Sequence, residues 1–522
     1  ENNFAGLPKR QLSQKVPGFS LGGPIRRNST FFFINTQFLR AKQTNERTRT
    51  VLTAAARQGL WRYVTAGRNT PAGVAGASVD TAGNVLPGVQ IGTYNIGASD
   101  PAGRGLDPTL MTLLRGAPLP NDFSVGDGLN TAGFRWTAPE EEEQYDFVTK
   151  IDHTFNAKNS AFVRFSKGQQ NTLCDQVNTG EPTFPGGPCR VNTERSPLNW
   201  AGNWRWNPRS NMVNEFVAGQ NNFTFDFAIP TNDPKKVTFA LPLGLSNPED
   251  YNVGNLRTIN TYQFVDNLSV VTGAHNLKFG INFRYQKHTD IRGSVAGLNV
   301  SPNANFSTGV NTVDPGLFGL PTTINTTFDR PNLQGAINLM LARIGSISQG
   351  FVQEGSAYAP GGTTFNFDAR YPELDFYAQD NWKFRSNITV DLGLRWELKG
   401  TPTNPDDLVR RPNQSTAVGQ ATSSTLGWEQ GDLYSNDVNN IGPSIGVAWD
   451  PGNNGKSVIR GNYRLAYDRI NTFVLSSTIF QSIPGITTGV VNTAFGQTGG
   501  RLRDGLPALL RPSLTRTPSC AC

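Results

Sequence analysis

The chain of 522 residues is 37% hydrophobic, 17% charged and 10% aromatic, with 55 Gly, 34 Pro, 32 Phe and only 3 Met; strong helix formers are sparse and Gly, Asn, Thr, Phe and Pro abundant, which disfavours helix and favours strands joined by turns. That length accommodates several ordinary domains or one large barrel, but no run of 18 or more apolar residues occurs, which excludes transmembrane helices. The formal net charge of +7 is scattered without a Lys/Arg block, so the footprint of a nucleic-acid binder is lacking and the charges read as a solvated or lumenal surface.

The start, Glu1-Asn2-Asn3, is neither basic nor apolar, so it reads as no signal peptide but as a processed or truncated end. A brief polar turn at Arg26–Ser29 then precedes a long polar stretch, about 41–143, that closes on four carboxylates, Glu140–Glu143. A solvated acidic run just before a strand is preferred there over a calcium or cationic-ligand site. From Tyr145 to Phe155 the sequence alternates, with Tyr145, Phe147, Ile151 and Phe155 against Asp146, Lys150 and Asp152. Side chains point to opposite faces of a strand in turn, so this is a two-faced strand.

A turn at Asn156–Ser160 and a long stretch, 168–198, follow. The latter holds Cys174 and Cys189 around a Pro/Gly-rich segment, which reads as a disulfide-closed loop in an oxidising compartment, two free thiols being the alternative. Zinc is disfavoured, because the nearest histidine, His153, stands on another segment. Turns at Asn207–Asn211 and Thr272–His275 flank a third long stretch, 229–261. Leu277, Phe279, Ile281, Phe283 and Tyr285 then alternate with Lys278, Gly280, Asn282, Arg284 and Gln286.

The stretch 289–373 contains Pro331–Ser348, compatible with a short helix packed on a loop. After a turn at Lys383–Asn387, Ile388, Val390, Leu392, Leu394 and Trp396 oppose Asp391, Arg395 and Glu397. A last stretch, 399–441, and a turn at Pro451–Lys456 lead to Ile459, Gly461, Tyr463, Leu465 and Tyr467 against Arg460, Asn462 and Arg464. Six hairpins give about twelve strands. Their predicted lengths of about 9 to 13 residues match a tilted strand crossing a bilayer, roughly 9–11 residues. Short turns at one end and long loops at the other are the layout of a transmembrane antiparallel β-barrel.

In such a barrel the polar face, with Lys150, Asp152, Arg164, Lys278, Arg284, Asp391, Arg395, Arg460 and Arg464, borders a wet interior, whereas in a soluble sandwich it meets bulk water. Trp204, Trp206, Trp382, Trp396, Trp449, Tyr463 and Tyr467 are candidates for aromatic girdles, the alternative being a sandwich core. Enzyme chemistry finds no motif. His153, His275 and His288 belong to no nucleophile or metal signature. Gly452–Ser457 fails as a phosphate loop because Asp450 stands where the first Gly belongs and a strand follows. No cofactor is expected.

Several runs resemble Oar-like TonB-dependent receptors: Phe19–Ile25 with Thr30–Phe33, His275–Gly280, Asp375–Trp382 with Leu392–Glu397, and Gly442–Pro451 with Val458–Tyr463 and Tyr467–Arg469. The resemblance implies an outer-membrane barrel of about 22 strands, preceded by a regulatory-like domain and a plug. It implies a receptor that binds an extracellular substrate and imports it with energy relayed by TonB. No plug, TonB box or regulatory-like domain is read before Phe19, and Pro518–Cys522 does not resemble an aromatic-ended final strand. Residues 1–522 are therefore expected to be part of such a barrel, with 470–522 a loop or tail. Expected partners are outer-membrane lipid, the TonB complex through the missing plug, and a glycan, peptide or metal chelate as substrate. A passive porin-like channel and a soluble all-β carbohydrate- or surface-binding protein are the alternatives.

Overall fold

The computed structural model describes residues 10–67, 78–228, 236–249, 254–295, 297–354, 357–405, 410–414, 428–468, 471–472, 487–493, 500–506, 509 and 511–512. Its principal feature is one antiparallel sheet of β1 (Leu12–Lys15), β2 (Gly18–Arg26), β3 (Thr30–Leu52), β4 (Thr131–Asn156), β5 (Asn159–Leu173), β6 (Asn192–Arg209), β7 (Met212–Ala228), β8 (Asn255–Thr272), β9 (His275–Arg292), β10 (Phe365–Arg385), β11 (Ile388–Lys399), β12 (Ile441–Trp449) and β13 (Ile459–Arg464). β1 and β2 lie end to end along β3, so the sheet is twelve strands wide. The break includes Pro17, which has no N–H for the ladder and is tolerated on an edge strand; its carbonyl still accepts from the Phe38 N–H at 2.8 Å.

From β2 onward each strand pairs with its successor. All six short turns of this meander coincide with the expected ones. Asn28 (φ 61°) and Gly273 (φ 57°) take the left-handed conformation in two of them, which these residue types tolerate best.

Eight of the described strands, β3 to β10, are longer than expected. β3 has 23 residues and β4 has 26, and they stay in register from Thr30 opposite His153 to Leu52 opposite Thr131. Residues 41–52 and 131–143 are therefore strand, not loop, and Glu140–Glu143 lie inside β4 rather than before it. Apolar alternation is lost there because cross-strand polar pairs replace it: Lys42 with Glu141 at 2.6 Å and Arg40 with Glu143 at 3.0 Å.

Among the described residues no protein layer covers the apolar face of the sheet: Phe279 is 43% exposed and Leu394 52%. The hydrophobic core sits instead in the long connections 53–130, 229–254 and 293–364. Helix α1 (Pro108–Arg115) starts on Asp107, whose carboxylate accepts from the N–H groups of Thr109 and Leu110, a standard N-cap. Helix α2 (Asp329–Met340) occupies the expected helical stretch but stops eight positions before Ser348, since the chain turns at Leu341 and Ala342 and Ser346–Glu354 is a strand. It is the centre of the core rather than a surface turn, with Leu333, Ala336, Ile337, Leu339 and Met340 fully buried among Trp61, Leu110 and Phe306. The segment Thr487–Asn492 pairs with Ser346–Glu354, so part of the expected tail belongs to this cap. Cys520 and Cys522 lie outside the described residues.

Candidate functional site

Directly opposed residues of an antiparallel pair share a face. Lys150 stands opposite Arg164, Lys278 opposite Gln379, Arg284 opposite Glu373, Asp391 opposite Gly446, Arg395 opposite Gly442, Arg460 opposite Ala448 and Arg464 opposite Ser444. Followed across the ladder, this register puts all nine charged candidates, Asp152 included, on one face.

They do not form one cluster. Lys150 contacts Asp152 at 2.6 Å and lies 4.4 Å over the Phe162 ring, and Arg164 donates to Asn199 at 3.1 Å. Phe162, Phe31 and Phe33 share this face, the last two opposite Asp152 and Lys150, and so do Val217, Val265 and Phe225. Farther across the sheet, Arg284 bonds Glu373 at 2.5 Å, Arg395 bonds Asp375 at 2.9 Å and Glu397 at 2.5 Å, and Lys399 bonds Asp375 at 2.9 Å. The carboxylates are almost buried, Glu373 and Asp375 with 3% of their side chains exposed. Three cations thus balance three carboxylates, the arrangement in which buried charge is tolerated. The sequence reading missed Glu373, Asp375 and Lys399 as members of this network. A register shift between Trp382 and Arg385 sets Glu373 opposite Lys399 and Asp375 opposite Glu397, so a count from the short turn, where Arg385 faces Ile388, is one residue out.

Below this network the same face forms a hollow of about 530 Å³ lined by Lys278, Gln379, Asp391, Arg395, Ser444 and Arg464 among others. Asp391 accepts from Gln379 at 2.7 Å and from Asn381 at 3.0 Å. Beside it Tyr377 crosses Gly280 to donate to Asn267 at 2.7 Å. A Cβ on Gly280 would stand 2.2 Å from the Tyr377 ring, so Gly280→Ala should displace the ring and lose its hydrogen bond. We expect a loss of about 1 kcal/mol in urea unfolding, with no added loss when Tyr377→Phe is combined with it.

Trp206 stands opposite Asn159, Trp204 opposite Ala161, Trp382 opposite Val390 and Trp449 opposite Ile388, all on the apolar face near the short turns. Trp396 is eight residues up β11 from Ile388, about 26 Å along the strand at roughly 3.3 Å per residue. Tyr467 is at that far level, its hydroxyl 3.5 Å from the Ile441 carbonyl. Tyr463 lies midway, opposite Ile445 and hence level with Leu392. His153 meets Thr30 at 2.8 Å, and His275 meets Asp380 at 2.6 Å while stacking on Trp382. Among the described residues no three His, Cys, Asp or Glu are grouped to hold a metal ion.

The sequence matches the model of the outer membrane beta barrel domain over residues 1–520. The chain belongs to this family. Solved structures that the chain is similar to include the outer membrane transporter YddB of Escherichia coli (10% identity, TM-score 0.40, covering 87% of this chain and 38% of that one). The ferric-catecholate import receptor Fiu of E. coli K12, in its closed form, gives 9% identity and TM-score 0.38 over 87% and 49% of the two chains. The siderophore receptor PirA of Acinetobacter baumannii gives 9% and 0.37 over 87% and 40%. The chain thus spans half or less of the length of these relatives. No protein of curated function matches it.

As an outer membrane beta barrel domain the chain resides in the cell outer membrane, its short turns periplasmic and its long connections extracellular. The cap is therefore the extracellular part. It contains a hollow of about 730 Å³ whose walls include Trp61, Phe123, Phe328, Asp80, Asp127 and Asp329. The extracellular connection 174–191 is closed by a Cys174–Cys189 disulfide, with Cα atoms 4.7 Å apart. Glu181 anchors it on β3 through Arg47 and Arg49, each at 2.7 Å. Burial pushes the Glu181 carboxyl up, yet its hydrogen bonds and the two guanidinium groups outweigh this and hold it below the usual range.

Proposed function

We propose that the chain is part of the barrel of a TonB-dependent receptor, taking an extracellular ligand at its cap and passing it along the polar face of the barrel to the periplasm. In this reading Trp204, Trp206, Trp382 and Trp449 sit at the periplasmic headgroup level, Trp396 and Tyr467 at the outer one. The separation of about 26 Å derived above suits an apolar band about 25 Å tall, less once the strands tilt. The observation that carries the reading is the two-faced sheet, with all nine charged candidates on one side, and a core-bearing cap at one end. Energy would come from the TonB complex.

Single-cysteine scanning of the full chain in lipid vesicles tests this. Cysteines at Lys278 and Arg284 should react with a water-soluble maleimide, while spin labels at Phe279 and Phe283 should be relaxed by lipid-borne oxygen. The inverse pattern refutes the passage. Cells carrying the complete gene should then take up ligand only when TonB is energised. Uptake indifferent to TonB would make the barrel a passive channel.

A further inference from the structure

We infer that the hollow between β9 and β13 is a binding site for small polyanions, solutes bearing two or more carboxylate or phosphate groups. This rests on the polar face being the passage, and it names the charge class of what the passage holds. Three cations line the hollow, Lys278, Arg395 and Arg464, against one carboxylate, Asp391. Arg395 is already neutralised by Asp375 and Glu397. Asp391 is engaged by the amides of Gln379 and Asn381, not by a cation.

Lys278 and Arg464 differ from every cation of the network above them. Neither has an ion pair or side-chain hydrogen bond among the described residues. Farther up the same strands, the sequence supplies a carboxylate for each of Arg284, Arg395 and Lys399. In the hollow the one carboxylate, Asp391, is bonded by amides and pairs with neither cation, although Ser444 and Gly446, directly opposite Arg464 and Asn462, are positions where an acid would fit the register. Two free positive charges on the wall of one hollow, with Ser444 and Asn462 as additional hydrogen-bonding groups, attract an anion and can bond it from two sides. The volume of about 530 Å³ falls within the usual range of small-molecule sites, about 300–1,000 Å³.

Equilibrium dialysis of the full chain in detergent micelles tests the site, with benzene-1,3,5-tricarboxylate as probe and its neutral triamide as control. The tricarboxylate should bind and the triamide should not. Lys278→Gln with Arg464→Gln should weaken binding at least tenfold, and the affinity should fall with added salt. Neither side chain is used in the fold, so heat-modified gel mobility should stay that of the parent. The charge-reversed pair Lys278→Glu and Arg464→Glu should instead hold the corresponding tris-ammonium compound. No binding of the tricarboxylate, or equal binding by the double Gln variant, overturns the site. If that happens while the cysteine pattern stands, the site alone is refuted; an inverted cysteine pattern refutes the passage itself.

Discussion

Asp375→Ala should lower the unfolding free energy of the barrel by about 3–5 kcal/mol, the usual consequence of removing one partner from a buried ionic group. The Asp375 carboxylate accepts from Lys399 and Arg395, each at 2.9 Å, and from Asn282 at 3.1 Å, so one truncation strands three donors. Arg395 keeps Glu397 at 2.5 Å, but Lys399 is left with Glu373 and Glu397 at 3.9 Å each. The partners' charge, not the lost atoms, dominates the cost. Asp375→Ala combined with Lys399→Met should therefore cost less than the two single changes summed, and Asp375→Asn should lie between parent and alanine. Urea unfolding in detergent, followed by tryptophan fluorescence, gives all four values. Additivity of the single changes would show that the charges do not act as a unit.

The sheet was legible in the sequence wherever one face meets lipid. A chain without a protein layer on its apolar side must keep strict alternation, and Leu277 to Gln286 and Ile388 to Glu397 keep it. The six turns were legible because polar residues, among them Asn28 and Gly273, interrupt it. Strand length was not. Above the bilayer neither face of β3 and β4 meets lipid, so Lys42, Glu141, Arg40 and Glu143 pair across the ladder and read as loop. The candidate site was half legible. Period two put Lys278, Arg284, Asp391 and Arg395 on one face, but which cations are neutralised depends on strand register, and that requires placing Glu373 opposite Arg284 and Asp375 beside Arg395. Phe31, Phe33 and Phe162 break the polar face for the same reason, since their side is set by pairing with Asp152 and Lys150 and not by composition. The cap was least legible, because its core joins segments hundreds of residues apart.

The tie between two such segments sets the second large effect. Arg501 forms a two-pronged pair with Asp100, at 2.8 and 2.5 Å, with both side chains buried. Around it the backbone N–H of Leu502 donates to Ala342, and Arg503 donates to the carbonyls of Arg104 and Leu106. Asp100→Asn should weaken the cap locally by about 3 kcal/mol, seen as faster amide hydrogen exchange in residues 97–107 and 340–345 with the strands of the sheet unchanged. Burial pushes the Asp100 carboxyl up, but the bonds and charge of Arg501, with the N–H groups of Ala102 and Arg104, prevail and leave it at about 2, below its ordinary 3.8. A carboxyl lowered on folding contributes its full stabilisation above the unfolded value and loses it as protons bind the native state. The parent cap should thus hold constant protection, with exchange corrected for its intrinsic pH dependence, down to about pH 4 and lose it toward pH 2, whereas the Asp100→Asn variant lacks that component of the transition. Nearby Arg343 remains protonated throughout this window, even though burial lowers it to about 10. If parent and variant loosen in parallel between pH 4 and 2, the Asp100–Arg501 pair does not hold the cap closed.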